Sequence, residues 1–407
     1  MVAQTAQTRG WTHGIGRSPY INVTRLAVAA VATTLSLGGC GMRGSASTEQ
    51  AQAMSPEIAQ GQQIFRFDTF GDEQFWTDKA RLHEVINKQL QPLEALSLGL
   101  KVDLDNLNLL RFVAHNPFAV SGTRELLRQN AVVGVQATFD KDGNIARIGI
   151  TCALCHSTVD NALLPGIGHR IDGAPNRDLN VGAIIAMSPI LTAEQRAVYQ
   201  SWGRGKYDPR YNQDGKSTPL VLPPAYGLAQ IKNETYTAEG PISYWNAYVA
   251  VTQMHGQGNF SDPRLAIDIK HSPDLVTPKL PALRAYQHSL PAPQPPTGSF
   301  DTATAERGRA VFNRACATCH VGGSGTDNND GKLHAPAETG VDGAYAARTV
   351  NKGYRTTPLR ALWQHPPYFH DGSAATLGDV VAHYNRVRTL GLNTDQQREL
   401  VEYLKSL

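Results

Sequence analysis

Apolar positions recur at helical spacing near both ends of this chain. Gly308, Val311, Phe312 and Ala315 fall on one helical face, and Gly61-Gln-Gln-Ile64-Phe65 repeats the same pattern early on. A final helix is expected to start near Thr394, with Gln397 completing a capping box and Leu400, Val401, Leu404 and Leu407 as its apolar stripe. A further helix is expected from Tyr244 to Gln253. Alternation over Val132–Phe139 and Asn144–Ile150 predicts one hairpin, turning at Asp140-Lys-Asp-Gly143. The pattern is therefore mainly α, with a β-hairpin inside a long insertion.

One apolar run has a different meaning. Leu26 to Leu37 is too short for a spanning helix but suits the core of a signal peptide, and no acid precedes Glu49. Leu37-Gly38-Gly39-Cys40 resembles a bacterial lipoprotein cleavage site, which would acylate Cys40 and anchor the product to a membrane. The expected organisation is a signal peptide over 1–39, a flexible tether over 40–57, a first unit over 58–288, a Pro-rich linker over 289–298 and a second unit over 299–407. The expected location is extracytoplasmic and periplasmic.

Composition excludes more than it identifies. With 407 residues, 41% hydrophobic and 18% charged, the chain is neither disordered nor a multi-span membrane protein. Lys+Arg of 38 against Asp+Glu of 35 leaves +3, no footprint for a nucleic acid.

Cysteine placement supplies the chemistry. Apart from Cys40, the cysteines fall in Cys152-Ala-Leu-Cys155-His156 and Cys316-Ala-Thr-Cys319-His320. Each is a haem-attachment pattern: two sulfurs on one turn form thioethers, and the next histidine ligates iron. A zinc site would gather four ligands together, and a redox dithiol needs no following histidine. Two cytochrome c-like domains are expected, each with one covalent haem c. Asp140 and Asp142 faintly suggest a Ca2+ loop, but the glycine that such a loop requires at its sixth position is missing. A plain turn is favoured.

These motifs, with Tyr354-Arg-Thr-Thr-Pro358-Leu-Arg360 and Pro367-Tyr-Phe-His-Asp-Gly372 followed by Thr376-Leu377, resemble the bacterial di-haem cytochrome c peroxidase superfamily. That superfamily includes the di-haem maturation enzyme of methylamine dehydrogenase and, more distantly, rubber oxygenases. The resemblance is specific over 299–407 and patchy over 150–260. It places the second distal ligand sixteen residues beyond Tyr368, at Tyr384, with His370 or His383 as alternatives. Residues 299–407 hold no methionine, so His/Met ligation cannot come from that unit. For the first haem, Gly166-Ile-Gly-His169 resembles the segment supplying a removable distal histidine; Met254 and His255 are rivals. Trp245 is the candidate aromatic bridge between haems, with Trp202 second. Arg360 is a candidate partner for a haem propionate. Glu239 is the nearest candidate for the base that peroxide cleavage needs.

The reading implied is a peroxidase-type oxidoreductase, passing electrons through one haem to hydrogen peroxide at the other. A small redox protein or quinol-linked donor would supply them. The alternatives are a low-potential electron-transfer cytochrome and an oxygenase acting on an organic substrate.

Overall fold

The computed structural model describes residues 54–407. The signal segment and Cys40 lie outside the described residues. Helix α1 (Pro56–Phe67) begins inside the stretch expected as tether, because Ser55 caps it and proline suits its first position. Strands β1 (Val135–Phe139) and β2 (Ile145–Ile150) form the expected hairpin, antiparallel, with Val135 opposite Ile150. Helix α2 (Ile242–Tyr248) runs on as a π-helical turn over Val249–Gln253. Helices α3 (Leu280–Ser289), α4 (Thr302–Ala315), α5 (Leu377–Val387) and α6 (Thr394–Lys405) complete the frame. The molecule is mainly helical, and its sheets are small two-stranded pairs. Among the described residues no helix is long and apolar enough to cross a membrane.

The cap of α6 is displaced by one residue from expectation. Asn393 and Gln396 form the capping box, not Thr394 and Gln397, because the amide of Asn393 reaches the Gln396 N–H at 2.9 Å. The apolar stripe is as expected, with Leu400 and Leu404 buried and Val401 and Leu407 against them.

One helix crossing occurs twice. In the first, α1 meets α3 where a Cβ on Gly61 would overlap the Ala282 carbonyl and the Tyr286 side chain. In the second, α4 meets α6 where a Cβ on Gly308 would overlap the Glu399 carbonyl and the Tyr403 side chain. Phe65 packs on Tyr286 with ring centroids 5.5 Å apart, and Phe312 on Tyr403 at 5.1 Å. Glycine is required at both points because two helix backbones touch there. The repeated apolar pattern of the sequence is thus a repeated contact.

Four apolar clusters follow among the described residues, the smallest joining Ala174, Tyr226 and Ala361. One surrounds Phe65, Tyr248 and Leu283, and one fills the insertion around Trp76, Leu126 and Ile148. The third joins Val311, Phe312, Val381, Leu400 and Leu404.

Candidate haem sites

The first motif occupies a single helical turn, Ala153–His156, directly after the hairpin. The second follows α4, with Cys316 as the helix cap. None of the four sulfurs is in a disulfide. Burial pushes the Cys152 and Cys155 thiols up to about 12 and Cys316 to about 11. A reactive dithiol needs a depressed thiol pKa, so Cys152 and Cys155 make a poor redox dithiol.

Both histidines are oriented alike. Nδ1 of His156 lies 3.1 Å from the Pro223 carbonyl, and Nδ1 of His320 lies 3.2 Å from the Gly325 carbonyl. A carbonyl only accepts, so Nδ1 carries the proton and Nε2 is left as the metal-binding nitrogen. Burial lowers the pKa of His156 to about 4 and lowers that of His320, so both rings are neutral, as ligation requires.

Each histidine faces a cavity of about 280 Å³. Cys152, Cys155, His156, Trp245 and Met254 line the first; Cys316, Cys319, His320, His370 and Tyr384 line the second. Five residues line both: Tyr236, Arg355, Thr357, Leu362 and His365. The two spaces are therefore separated by one side-chain layer.

The donors in these walls fit a haem. A haem edge carries two carboxylates, and two buried guanidiniums have nitrogens without a protein partner: Arg177 at Nε and Nη1, and Arg355 at Nε. Arg177 lines the second cavity and Arg355 both. Such orphaned cations are costly unless an anion meets them. Arg360 lines the first cavity, but its Nη1 and Nη2 are directed to the carbonyls of Gly227 and Gly323, so it also ties the two halves together.

The other sequence candidates have distinct places. Tyr384 lines the second cavity, and burial raises its phenol to about 12. A phenolate there would need a cation such as ferric iron beside it. Nε2 of His370 is already engaged by the Tyr354 hydroxyl at 3.0 Å. His383 is turned away, with Nε2 2.8 Å from the Thr339 carbonyl. His169 lies outside the first cavity; it is exposed, and its Nδ1 is 2.7 Å from Asp105. His255 stacks on Phe75 at 3.6 Å and does not line that cavity, whereas its neighbour Met254 does.

Glu239 is buried away from both cavities. Its Oε2 is paired with Arg210, and its Oε1 accepts from the Val350 N–H at 3.1 Å. A carboxylate held on both oxygens is not positioned as a base. Trp245 lines the first cavity alone, and Trp202 donates to Ser217 within a tyrosine cluster that includes Tyr199 and Tyr211. The aromatic in the shared wall is Tyr236, which no local pattern marked; its hydroxyl donates to the Val221 carbonyl at 3.1 Å. Asp140 closes the hairpin turn, accepting from the Asp142 and Asn144 N–H groups at 2.9 and 2.8 Å. Among the described residues one cluster could hold a bare metal, Cys319, Asp327 and His334. It offers three ligands, one of them a sulfur of the second attachment motif, and His334 is paired on both ring nitrogens.

Residues 305–407 match the family model described as cytochrome c. Cytochrome-c peroxidase IdrP1 of Denitromonas iodatirespirans is 28% identical over 26% of this chain and 40% of its own length. Methylamine utilization protein MauG of Methylophilus methylotrophus is 30% identical over 26% of this chain and 36% of its own length. The chain thus spans about two-fifths of the curated relatives it matches. A MauG-like protein associated with microbial copper homeostasis is a solved structure that covers 48% of this chain and 75% of itself, at 19% identity and a TM-score of 0.34. Residues 305–407 are thus a cytochrome c domain, the kind of domain that carries haem c. By its two CxxCH motifs, its cytochrome c domain and these relatives, the chain is similar in part to cytochrome-c peroxidases and to MauG.

Proposed function

We propose that the protein is a periplasmic peroxidase-type oxidoreductase with two covalent haems, one on Cys152 and Cys155 and one on Cys316 and Cys319. The observation that carries this reading is the pair of cavities with one shared wall, each faced by a histidine whose Nδ1 is held by a carbonyl. Haem c supplies one-electron chemistry and, where an axial position is open, a place for peroxide.

The residues divide the work. His156 and His320 would hold the two irons through Nε2. Tyr384 would be the further protein ligand of the second iron, because His370 is engaged by Tyr354 and His383 points elsewhere. His169 would not reach the first iron, since it is held at the surface by Asp105; Met254, which lines that cavity, is the side chain that would compete with peroxide there. Arg177 and Arg355 receive haem carboxylates. Tyr236, in the wall common to both sites, lies on the short path for electrons, and Trp245 extends the aromatic lining of the first. The donor is a small redox protein or a quinol-linked one, and the lipid on Cys40 keeps the protein at a membrane.

Electron paramagnetic resonance of the as-isolated protein, with peroxide-dependent oxidation of a reduced donor, tests the reading. One high-spin and one low-spin ferric signal with rapid donor oxidation is expected. Two low-spin irons inert to peroxide and carbon monoxide would make it an electron carrier. Oxygen uptake with an unsaturated hydrocarbon would make it an oxygenase.

A further inference from the structure

The first cavity contains a carboxyl that neither ligation nor electron transfer uses. Glu234 lines it, and its side chain is 5% exposed. Its Oε1 is buried with no hydrogen-bond partner, and its Oε2 has Nη2 of Arg355 as its nearest cation, at 3.8 Å, beyond a hydrogen bond. The charged groups acting on it are Arg355 and Arg360; neutral Tyr236 and His365 stand in the same cavity walls, while Lys232 is turned to Asn329. An ionised carboxylate here has one oxygen cut off from water with no donor in its place, so its charge is costly and a proton on it is favoured. Glu239 is the contrast: equally buried, it is satisfied by Arg210, Thr237 and Val350.

We propose that Glu234 is a redox-linked proton-holding site. Glu234 takes one proton from solvent at Oε1 for each electron that a one-electron donor places on the haem of the first cavity, and releases it when that electron leaves. The step balances: one electron enters, one proton enters, and no net charge is added to the seam. Added negative charge nearby raises the affinity of a carboxylate for a proton, and linkage makes the effect reciprocal. Burial raises this carboxyl to about 7 against the pull of Arg355 and Arg360, which puts the exchange near neutral pH. The inference rests on the reading of Cys152, Cys155 and His156 as a haem site.

Spectroelectrochemical titration of the holoprotein between pH 5 and pH 9 tests it, following each haem with soluble one-electron mediators. From about pH 7 up to the higher pKa that reduction gives Glu234, the first haem should show a potential that falls with pH by up to 59 mV per unit, the tenfold-per-unit dependence of one proton per electron. The Glu234→Gln variant should flatten that dependence and leave the second haem's unchanged. Glu234→Asp should keep the slope with a displaced onset, which a merely structural role would not predict. An unchanged slope in Glu234→Gln, or a flat one in Glu234→Asp, would overturn the proton site while leaving the two-haem reading intact. A peptide covering residues 152–156 that carries no haem would overturn both.

Discussion

The two halves that carry the attachment motifs solve one problem by different means. Both hold the histidine of the motif through Nδ1 and a backbone carbonyl, and both close a helix pair on a glycine. In the second half the carbonyl belongs to Gly325, in the loop directly after His320. In the first it belongs to Pro223, a distant segment brought in by the tertiary fold. The same ring orientation is therefore local in one half and depends on the whole fold in the other. The first half also contains the hairpin and its own apolar cluster around Trp76 and Ile148 between α1 and its motif. A self-contained second half should tolerate damage elsewhere, and the first should not.

The largest effect tests whether there are two sites at all. Replacing both cysteines of one motif by alanine should halve the covalent haem per chain, whichever motif is chosen, as read by intact mass and haem stain. If Cys152→Ala with Cys155→Ala leaves the content unchanged, the comparison fails at its root.

Next comes the ligand set. Tyr384→Phe should change the spectrum of the second haem and leave the first as it was; electron paramagnetic resonance reads both. An unchanged second signal would remove Tyr384 from the iron and return His370 to consideration. Tyr236→Leu should slow electron exchange between haems at least tenfold, measured by rapid mixing with a reductant, while Trp245→Leu should have the smaller effect. Equal effects would mean the shared wall is not the path.

The helix crossings separate the halves by stability. Gly61→Ala and Gly308→Ala each force a Cβ into a helix backbone, and overpacking of this kind costs about 1–3 kcal/mol. Denaturant midpoints followed at each haem should show Gly308→Ala confined to the second half. Gly61→Ala should disturb the first haem as well, since its ring is oriented through distant contacts. Identical responses would argue against the local and non-local distinction.

What could be read from the chain follows the same division. Attachment motifs, helix faces and the hairpin are local patterns: a CxxCH turn, a glycine before Val311 and Phe312, alternation on either side of Asp140. Tyr236, Arg177, Arg355 and Glu234 gain meaning only when strands and loops far apart in sequence converge on one wall. Glu239 is a candidate base by its local sequence alone, and only folding brings Arg210 and the Val350 N–H against it. The cap at Asn393 was missed by one position because asparagine and threonine are both good caps and only geometry chooses between them.

The smallest expected effect is on pH dependence, and it belongs to the first half alone. Asp262 is bound by the Arg264 side chain and by the Tyr244 hydroxyl at 2.7 Å, and the Arg264 guanidinium holds its carboxyl down to about 2. A carboxylate depressed below its ordinary 3.8 adds stability above that pH and loses it as pH falls toward about 2. Arg264 is half exposed, so screening limits the contribution to roughly 1 kcal/mol. Asp262→Asn should therefore lower the urea midpoint at pH 6 by a modest step, and the gap to the unaltered protein should close as the pH approaches about 2. Because Asp262 packs beside Tyr244 on α2, the shift should register at the first haem before the second. A gap that is the same at both pH values would mean that the pair contributes shape rather than charge.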